Sequence, residues 1–438
     1  MHFESFKLTK GWFWYILTKC FNQCKERNIA TMHNYIQELR GLSSGVRRFI
    51  ISEILLGTGI GLYTLVLNLH LLDLGINETE IGRLSSIGAL IMGLIGIPSG
   101  LLANYWGRKR MLVCGLVLMG ISYLCFGLGT KLWVFYTAQT LQSFGVTLLV
   151  TSEIQLLFRY CKSKKEETQS FSLLFAIFTL FTGFGTLIGG ILPQWLGGST
   201  TIYQSSLLVA AGVLLLNALL RAVWLPKEPV WISPLINETK DPLIPINKSP
   251  KNHSILILSI FILLSGFAFG WIANFINIIV KFRMNWSDEW VSFALTINGL
   301  FLFAGSLIMP YMFTRFGIAK SFLAVYMVNI LAAFSLYMVL PNPIFIGILF
   351  MRSGVFTLLN NMTESQSMSA VTEEKRNLFA GMRSVFRSLG FAASTYLTGL
   401  ILTQKNYTLP FLLTSLVILI NFSFFWIWVR PLLKKNKV

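Results

Sequence analysis

The sequence predicts an all-α membrane protein with twelve transmembrane helices in two pseudo-symmetric bundles of six. Three observations predict this class: the composition, a recurring apolar span and an internal repeat. Of the 438 residues, 54% are hydrophobic and only 12% are charged, whereas a soluble domain carries about 25% charged residues. The mean hydropathy is +0.65. A chain of this composition is typical of a protein that lies mostly in lipid.

Apolar stretches recur along the chain, and each is closed by charged residues, Pro, Gly or Asn. Their length is near the roughly 20 residues that a helix needs to cross a bilayer. Lipid offers the backbone no hydrogen-bond partner, and a barrel would show alternating segments of about 10 residues, so these spans predict helices. The twelve predicted spans are 49–72, 81–104, 110–128, 132–157, 170–193, 205–225, 254–280, 290–314, 319–340, 343–367, 378–402 and 409–430.

The net charge of +18 has an uneven distribution along the predicted topology. With the N-terminus in the cytoplasm, one side keeps only Arg83, Lys131, Lys281, Arg283 and Lys405. The other side holds Arg108, Lys109, Arg110, Lys162, Lys164, Lys165, Lys227, Lys240, Lys248, Lys251, Lys320, Lys375, Arg376, Lys434, Lys435 and Lys437. Such asymmetry sets orientation. We therefore expect both termini in the cytoplasm, a lipid bilayer as partner, and no nucleic acid.

Outside the spans, the chain has three further segments. Residues 1–46 form an N-terminal extension, for which two interpretations stay open: an interfacial amphipathic anchor using Trp12 and Trp14, or a floppy extension. Met32 is an alternative start. Residues 226–252, rich in Pro and Lys, are expected to link the halves, and 431–438 form a basic cytoplasmic tail.

An offset of about 210 residues superimposes the two halves, 47–225 and 253–430. "GLLANYWGRKR" falls on "IMPYMFTRFGIAK", so Gly107 meets Gly317, and "TSEIQ" falls near "MTESQ". Parallel repeats of this kind occur in transporters, where the halves rock about a central site.

The stretch "GLLANYWGRKR" resembles the signature between helices two and three of the major facilitator superfamily, roughly G-x-L-A-D-R-x-G-R-R/K. Asn104 and Tyr105 depart from that pattern. The resemblance implies a loop that latches the halves on the cytoplasmic side when the protein faces outward; the alternative is a simple topology anchor. Small residues such as Gly100 are expected to permit close helix approach. The predicted latch loop comprises Gly100, Asn104, Gly107, Arg108, Lys109 and Arg110.

The fifth span contains "GFGTLIGG", which resembles the antiporter signature G-P-x-x-G-G of the same superfamily, with Thr186 in place of the proline. Gly185, Gly189 and Gly190 match. We expect these glycines to allow tight contact with the opposite bundle, or to serve packing alone. The resemblance favours export over uptake.

Ionisable and polar groups inside spans are costly and mark cavities or pairs. Arg352 lies about 12 Å beyond the start of the tenth span, and its repeat mate is Gln142. With Asn298 they are the predicted cavity residues, Arg352 binding an anionic or polar substrate group unless it pairs within its bundle. The candidates for proton carriage or ion pairing are Glu53, Glu153, Glu364, Arg383 and Arg387. The candidates for the outer mouth are Asn68, His70, Asn274 and Asn277.

The sequence does not favour catalysis. No Walker loop, G-x-S-x-G or H-E-x-x-H motif occurs, and the five cysteines form no metal or disulfide framework. We therefore expect a monomeric, multi-pass secondary transporter of the bacterial cytoplasmic membrane, without enzyme activity, cofactor or metal. It would move a small organic solute, outward and with protons as a candidate coupling ion. A lipid flippase and a non-transporting scaffold or sensor stay open as alternatives.

Overall fold

The computed structural model describes residues 42–228, 252–371 and 373–435, and these residues form helices without strands. The predicted extension up to 41 and the linker from 229 to 251 lie outside the described residues. The helices are α1 (Ser44–Asp73), α2 (Glu78–Trp106), α3 (Arg108–Leu128), α4 (Leu132–Tyr160), α5 (Lys164–Leu196), α6 (Gln204–Trp224), α7 (Asn252–Gly270), α8 (Ile276–Met284), α9 (Asp288–Tyr337), α10 (Asn342–Ser369), α11 (Glu373–Thr403), α12 (Leu409–Phe424) and α13 (Arg430–Lys435).

Eleven helices within the described residues are long and apolar enough to cross a membrane. Two of these spans, Asp288–Met309 and Tyr311–Tyr337, are parts of α9. The predicted seventh span, 254–280, is not continuous: the shorter apolar helix Ser254–Gly270 is separated from α8 by the irregular residues 271–275.

The repeat is visible in the backbone at two glycines. Gly107 joins α2 to α3 with a φ of 83°, and Gly317 breaks α9 with a φ of 72°. This left-handed region favours glycine because it lacks a Cβ. The same change of direction therefore occurs at the two positions that the repeat aligned.

Two sets of helices pack mainly within themselves. In the N-terminal set, α1 packs on α5 and α6, and α4 packs on α2 and α3; in the C-terminal set, α7 packs on α11, and α9 packs on α10 and α12. The sets meet chiefly through α2 against α11 and α5 against α9.

The hydrogen bonds between the sets lie toward the predicted outer end, where the α1–α2 loop is. The packing of α2 on α11 extends further inward, because a Cβ added at Gly381 would lie 2.7 Å from the Ile97 side chain. Ser86 Oγ donates to the carbonyl of Ala392 at 2.7 Å, and Thr79 bonds Thr403. The describable hydrogen bonds between the sets all fall in this outer half, the deepest being Thr296 Oγ1 to the Gly183 carbonyl at 3.0 Å. The outer end is therefore closed in this conformation.

Candidate functional site

The predicted latch loop is held by a carboxylate that sequence reasoning did not single out. Glu228 Oε2 accepts a hydrogen bond from the backbone N–H of Arg108 at 2.8 Å. The other oxygen of Glu228 pairs with the guanidinium of Arg159 and lies 3.6 Å from that of Arg108. A carboxylate suits the start of α3 because the first N–H groups of a helix have no partner within it. The sequence signal that could have pointed to Glu228 was the presence of an acidic residue shortly after α6.

Two further bonds of the loop lie within the N-terminal set. Arg108 Nε donates to Gln155 at 2.6 Å, and Lys109 Nζ donates to the carbonyl of Leu225 at 2.6 Å. Arg110 is exposed. The close approach expected at Gly100 is wrong, since a Cβ added there would meet nothing within 4 Å. The side chain of Asn104 lies outside the described residues.

The α5 glycines divide between the two sets. An added Cβ at Gly190 would clash with the Ser292 side chain on α9, so this glycine does contact the opposite set. The other two follow the alternative of packing alone: Gly185 faces the backbone of Thr58, and Gly189 also faces α1. They serve packing within their own set.

Arg352 is the buried charge of the C-terminal set. Its residue is 4% exposed, and its Nε has no hydrogen-bond partner among the described residues. The guanidinium carbon lies 5.0 Å from the centroid of the Phe356 ring. Asn298 on α9 is 6% exposed, and its Oδ1 is also without a partner. The third predicted cavity residue, Gln142, is half-buried and accepts from Gln139 Nε2 at 3.0 Å.

A buried triad joins three helices of the N-terminal set. The guanidinium of Arg221 on α6 lies 2.5 Å from Glu53 on α1 and 3.5 Å from Glu153 on α4. Arg221 Nε also donates to Ser52 at 2.9 Å. Glu53 and Arg221 are almost fully buried, and the side chain of Glu153 is 14% exposed.

Arg221 was not identified from the sequence as a site residue because it lies in the last turn of a span, where cations usually anchor a helix at the headgroups. One signal was available: Arg430 follows it at an offset of 209 residues, close to that of the repeat. The paired carboxylates Glu53 and Glu153 were among the predicted candidates.

In the C-terminal set, Glu364 on α10 pairs with both Arg383 and Arg387 on α11. All three side chains are about 30% exposed. The structure therefore brings together three of the five residues that the sequence offered for proton carriage or ion pairing.

The polar residues predicted for the outer mouth bridge the two sets. Asn68 Nδ2 donates to the carbonyl of Asn274 at 2.5 Å and to Asn277 Oδ1 at 3.1 Å. Nearby, Lys281 Nζ lies 2.5 Å from Asp288. The expectation for His70 is wrong, because its ring is fully buried among α1, α3 and the α5–α6 loop.

Tyr203, from the N-terminal set, completes this closure. Its hydroxyl donates to Asp288 Oδ2 at 2.7 Å and accepts from Lys281 at 2.8 Å. The ring nitrogens of His70 bond Thr201 and the carbonyl of Phe126, which keeps that loop in place.

The part of the chain that the structure describes holds no group of three metal-ligating side chains. Cys114, Cys125 and Cys161 are free thiols. Cys161 follows α4, and burial raises the pKa of its thiol to about 11.

Comparison with known proteins agrees with this architecture. The family model described as Major Facilitator Superfamily matches residues 49–370. The quinolone resistance protein NorA of Staphylococcus aureus strain MRSA252 is 22% identical over 345 residues, which cover 76% of this chain and 83% of the relative. The multidrug resistance protein MdtH of Photorhabdus laumondii is 25% identical over 174 residues, covering 38% of this chain and 42% of the relative.

Solved structures show the same fold. A bacterial homologue of the human lysosomal transporter Spinster, inward-facing and unoccupied, matches with a TM-score of 0.70 at 12% identity, covering 90% of this chain and 97% of its own. The nucleoside transporter NupG matches with a TM-score of 0.69 at 14% identity, covering 87% and 98% respectively.

Proposed function

Because this chain belongs to the Major Facilitator Superfamily, and so is a secondary transporter in a membrane, we propose that it exports small organic solutes from a bacterial cell by alternating access. The observation that carries this mechanism is the closure of the two helix sets at one end. Two sets that meet through reversible contacts of a few helices can rock about a site between them. Export is supported by the similarity to proteins named for quinolone and multidrug resistance.

The proposed topology has twelve spans, in which α7 and α8 together form the seventh and both termini are cytoplasmic. The closed end then faces outward in the conformation described. When the protein switches, the outer bonds of Asn68 and Tyr203 to the C-terminal set break. The loop at Arg108 to Arg110 then latches the sets on the inner side. The protein acts as a monomer in the cytoplasmic membrane.

Protons are the proposed coupling ion, and the triad around Arg221 is the proposed site. It sets two carboxyl groups against one guanidinium, so full ionisation leaves one uncompensated negative charge in a buried place. One bound proton neutralises the triad. Glu153 is the partner that keeps some exposure and so provides the path for that proton.

Inside-out vesicles containing the overexpressed chain test this function. We expect an acid-inside pH gradient to drive accumulation of ethidium or of a fluoroquinolone, and a protonophore to abolish it. Glu153→Gln should lose gradient-driven accumulation yet retain exchange of labelled probe between the two sides. Transfer of headgroup-labelled lipid alone would point to a flippase, and movement of none of these probes would refute transport of this class.

A further inference from the structure

Arg352 has donors that the protein itself does not use. A guanidinium carries five N–H groups and stays charged, and a buried cation without a partner is costly. The carboxylates of the C-terminal set that can be described are engaged elsewhere. Glu364 pairs with α11, Asp288 pairs with Lys281, and Glu289 accepts from Gln194.

An aromatic wall lies beside this guanidinium. The Phe356 ring that it contacts is parallel to Phe269 on α7, with the ring centroids 5.9 Å apart and an interplanar angle of 1°. Phe269 also contacts Phe391 on α11 at 5.5 Å. Phe269 remains 37% exposed, so part of this wall is accessible where α7, α10 and α11 meet.

A second unused polar atom lies on the helix that packs against α10. The Oδ1 of Asn298 is one turn before Phe301, whose ring stacks on Phe350 at 5.5 Å. Phe350 is two residues before Arg352. The α9–α10 pair therefore carries an unpartnered donor, Arg352 Nε, and an unpartnered acceptor, Asn298 Oδ1, at similar depth.

We propose that this place, which rests on the transport function above, binds an organic anion whose carboxylate is attached to a planar aromatic ring. The carboxylate accepts hydrogen bonds from Arg352, whose planar fork matches its geometry. The ring packs on the exposed face of Phe269, where offset or edge contacts between aromatic groups are favourable. The contact of Arg352 with Phe356 holds the guanidinium in place.

Binding to the purified full-length chain in nanodiscs tests the proposal without requiring transport. The probes are norfloxacin, a planar aromatic carboxylic acid, and its ethyl ester, which lacks the acid. We expect the wild type to bind the acid more tightly. Arg352→Gln should weaken binding of the acid by about 10- to 100-fold, the range for a charge-assisted hydrogen bond, and leave the ester unchanged. The affinity of Arg352→Lys for the acid should lie between those of the wild type and Arg352→Gln.

Arg430→Gln is the matched control, because Arg430 also stacks on an aromatic ring, Trp426 at 3.9 Å, and has an unpartnered Nε. It should bind both probes as the wild type does. Equal losses for acid and ester in Arg352→Gln, no loss at all, or no preference of the wild type for the acid would overturn the proposal. Selective binding without transport would instead overturn the proposed function and leave this site standing.

Discussion

Replacement of Arg221 by methionine should destabilise the protein strongly. The substitution keeps much of the side-chain volume but removes the guanidinium that lies 2.5 Å from Glu53 and donates to Ser52. Glu53 would then be left 1% exposed with no cation beside it. Breaking one partner out of a buried ion pair costs about 3–5 kcal/mol, because the remaining charge is uncompensated.

That free energy converts to a shift in Tm through the entropy of unfolding. At about 2.1 cal/mol/K per residue, a chain of 438 residues has an unfolding entropy of roughly 0.9 kcal/mol/K. The expected fall in Tm is therefore roughly 3–5 °C. A thiol-reactive fluorophore in detergent measures it, because Cys114, Cys125 and Cys161 are free and only partly exposed.

A second substitution separates charge from packing. Adding Glu53→Gln to Arg221→Met removes the stranded carboxylate, so part of the lost Tm should return. Arg430 has no ion pair among the described residues, so Arg430→Met should shift Tm less than Arg221→Met. The reasoning is refuted if Arg221→Met melts within 1 °C of the wild type, or if the double variant melts no higher than the single one.

Three further outcomes are expected. Gly107→Ala should lower Tm more than Gly317→Ala. Both glycines have a positive φ, at which alanine costs about 1 kcal/mol or more, but only at Gly107 would the added Cβ lie close to a carboxylate, 3.0 Å from Glu228. Equal shifts in Tm would contradict this reasoning. Gly190→Val should reduce vesicle transport at least about tenfold without preventing folding. The reason is that even a Cβ at this position would clash with the Ser292 side chain of α9. Normal transport by the variant would show that this close contact is not needed. In a variant with Cys161 as its one cysteine, the rate of maleimide labelling should be low at pH 7 and rise about tenfold per pH unit toward pH 10. The thiolate is the reactive form, and burial raises the pKa of this thiol to about 11. A labelling rate that reaches a plateau below pH 9 would contradict the burial of Cys161.

Much of the helical layout could be predicted from the sequence. A bilayer imposes span length and closed backbone hydrogen bonding on each segment separately, so the spans can be recognised one at a time. The turn at Gly107 and its counterpart at Gly317 were also predictable, because a left-handed φ selects glycine locally. The four-residue spacing of Arg383 and Arg387 predicted that they share one face of α11, and Glu364 was among the candidate ion-pair residues.

The partners of other residues depended on how helices rotate and pack. His70 appeared to be available at the outer end of a span, yet α3 and the α5–α6 loop enclose it. Gly185 and Gly190 share one motif but face different helix sets. They are five residues apart, which is about 1.4 turns of a helix, so they point in different directions around its axis.

By itself, the sequence determined that the chain is a repeated set of membrane helices with its basic residues concentrated on one predicted side, since length, hydropathy and charge act segment by segment. Only the tertiary structure decided that Arg221 is paired with two carboxylates, while Arg352 has no such partner among the described residues. That difference arises from side chains on separate helices, brought within a few ångströms by packing, and no spacing along one helix encodes it.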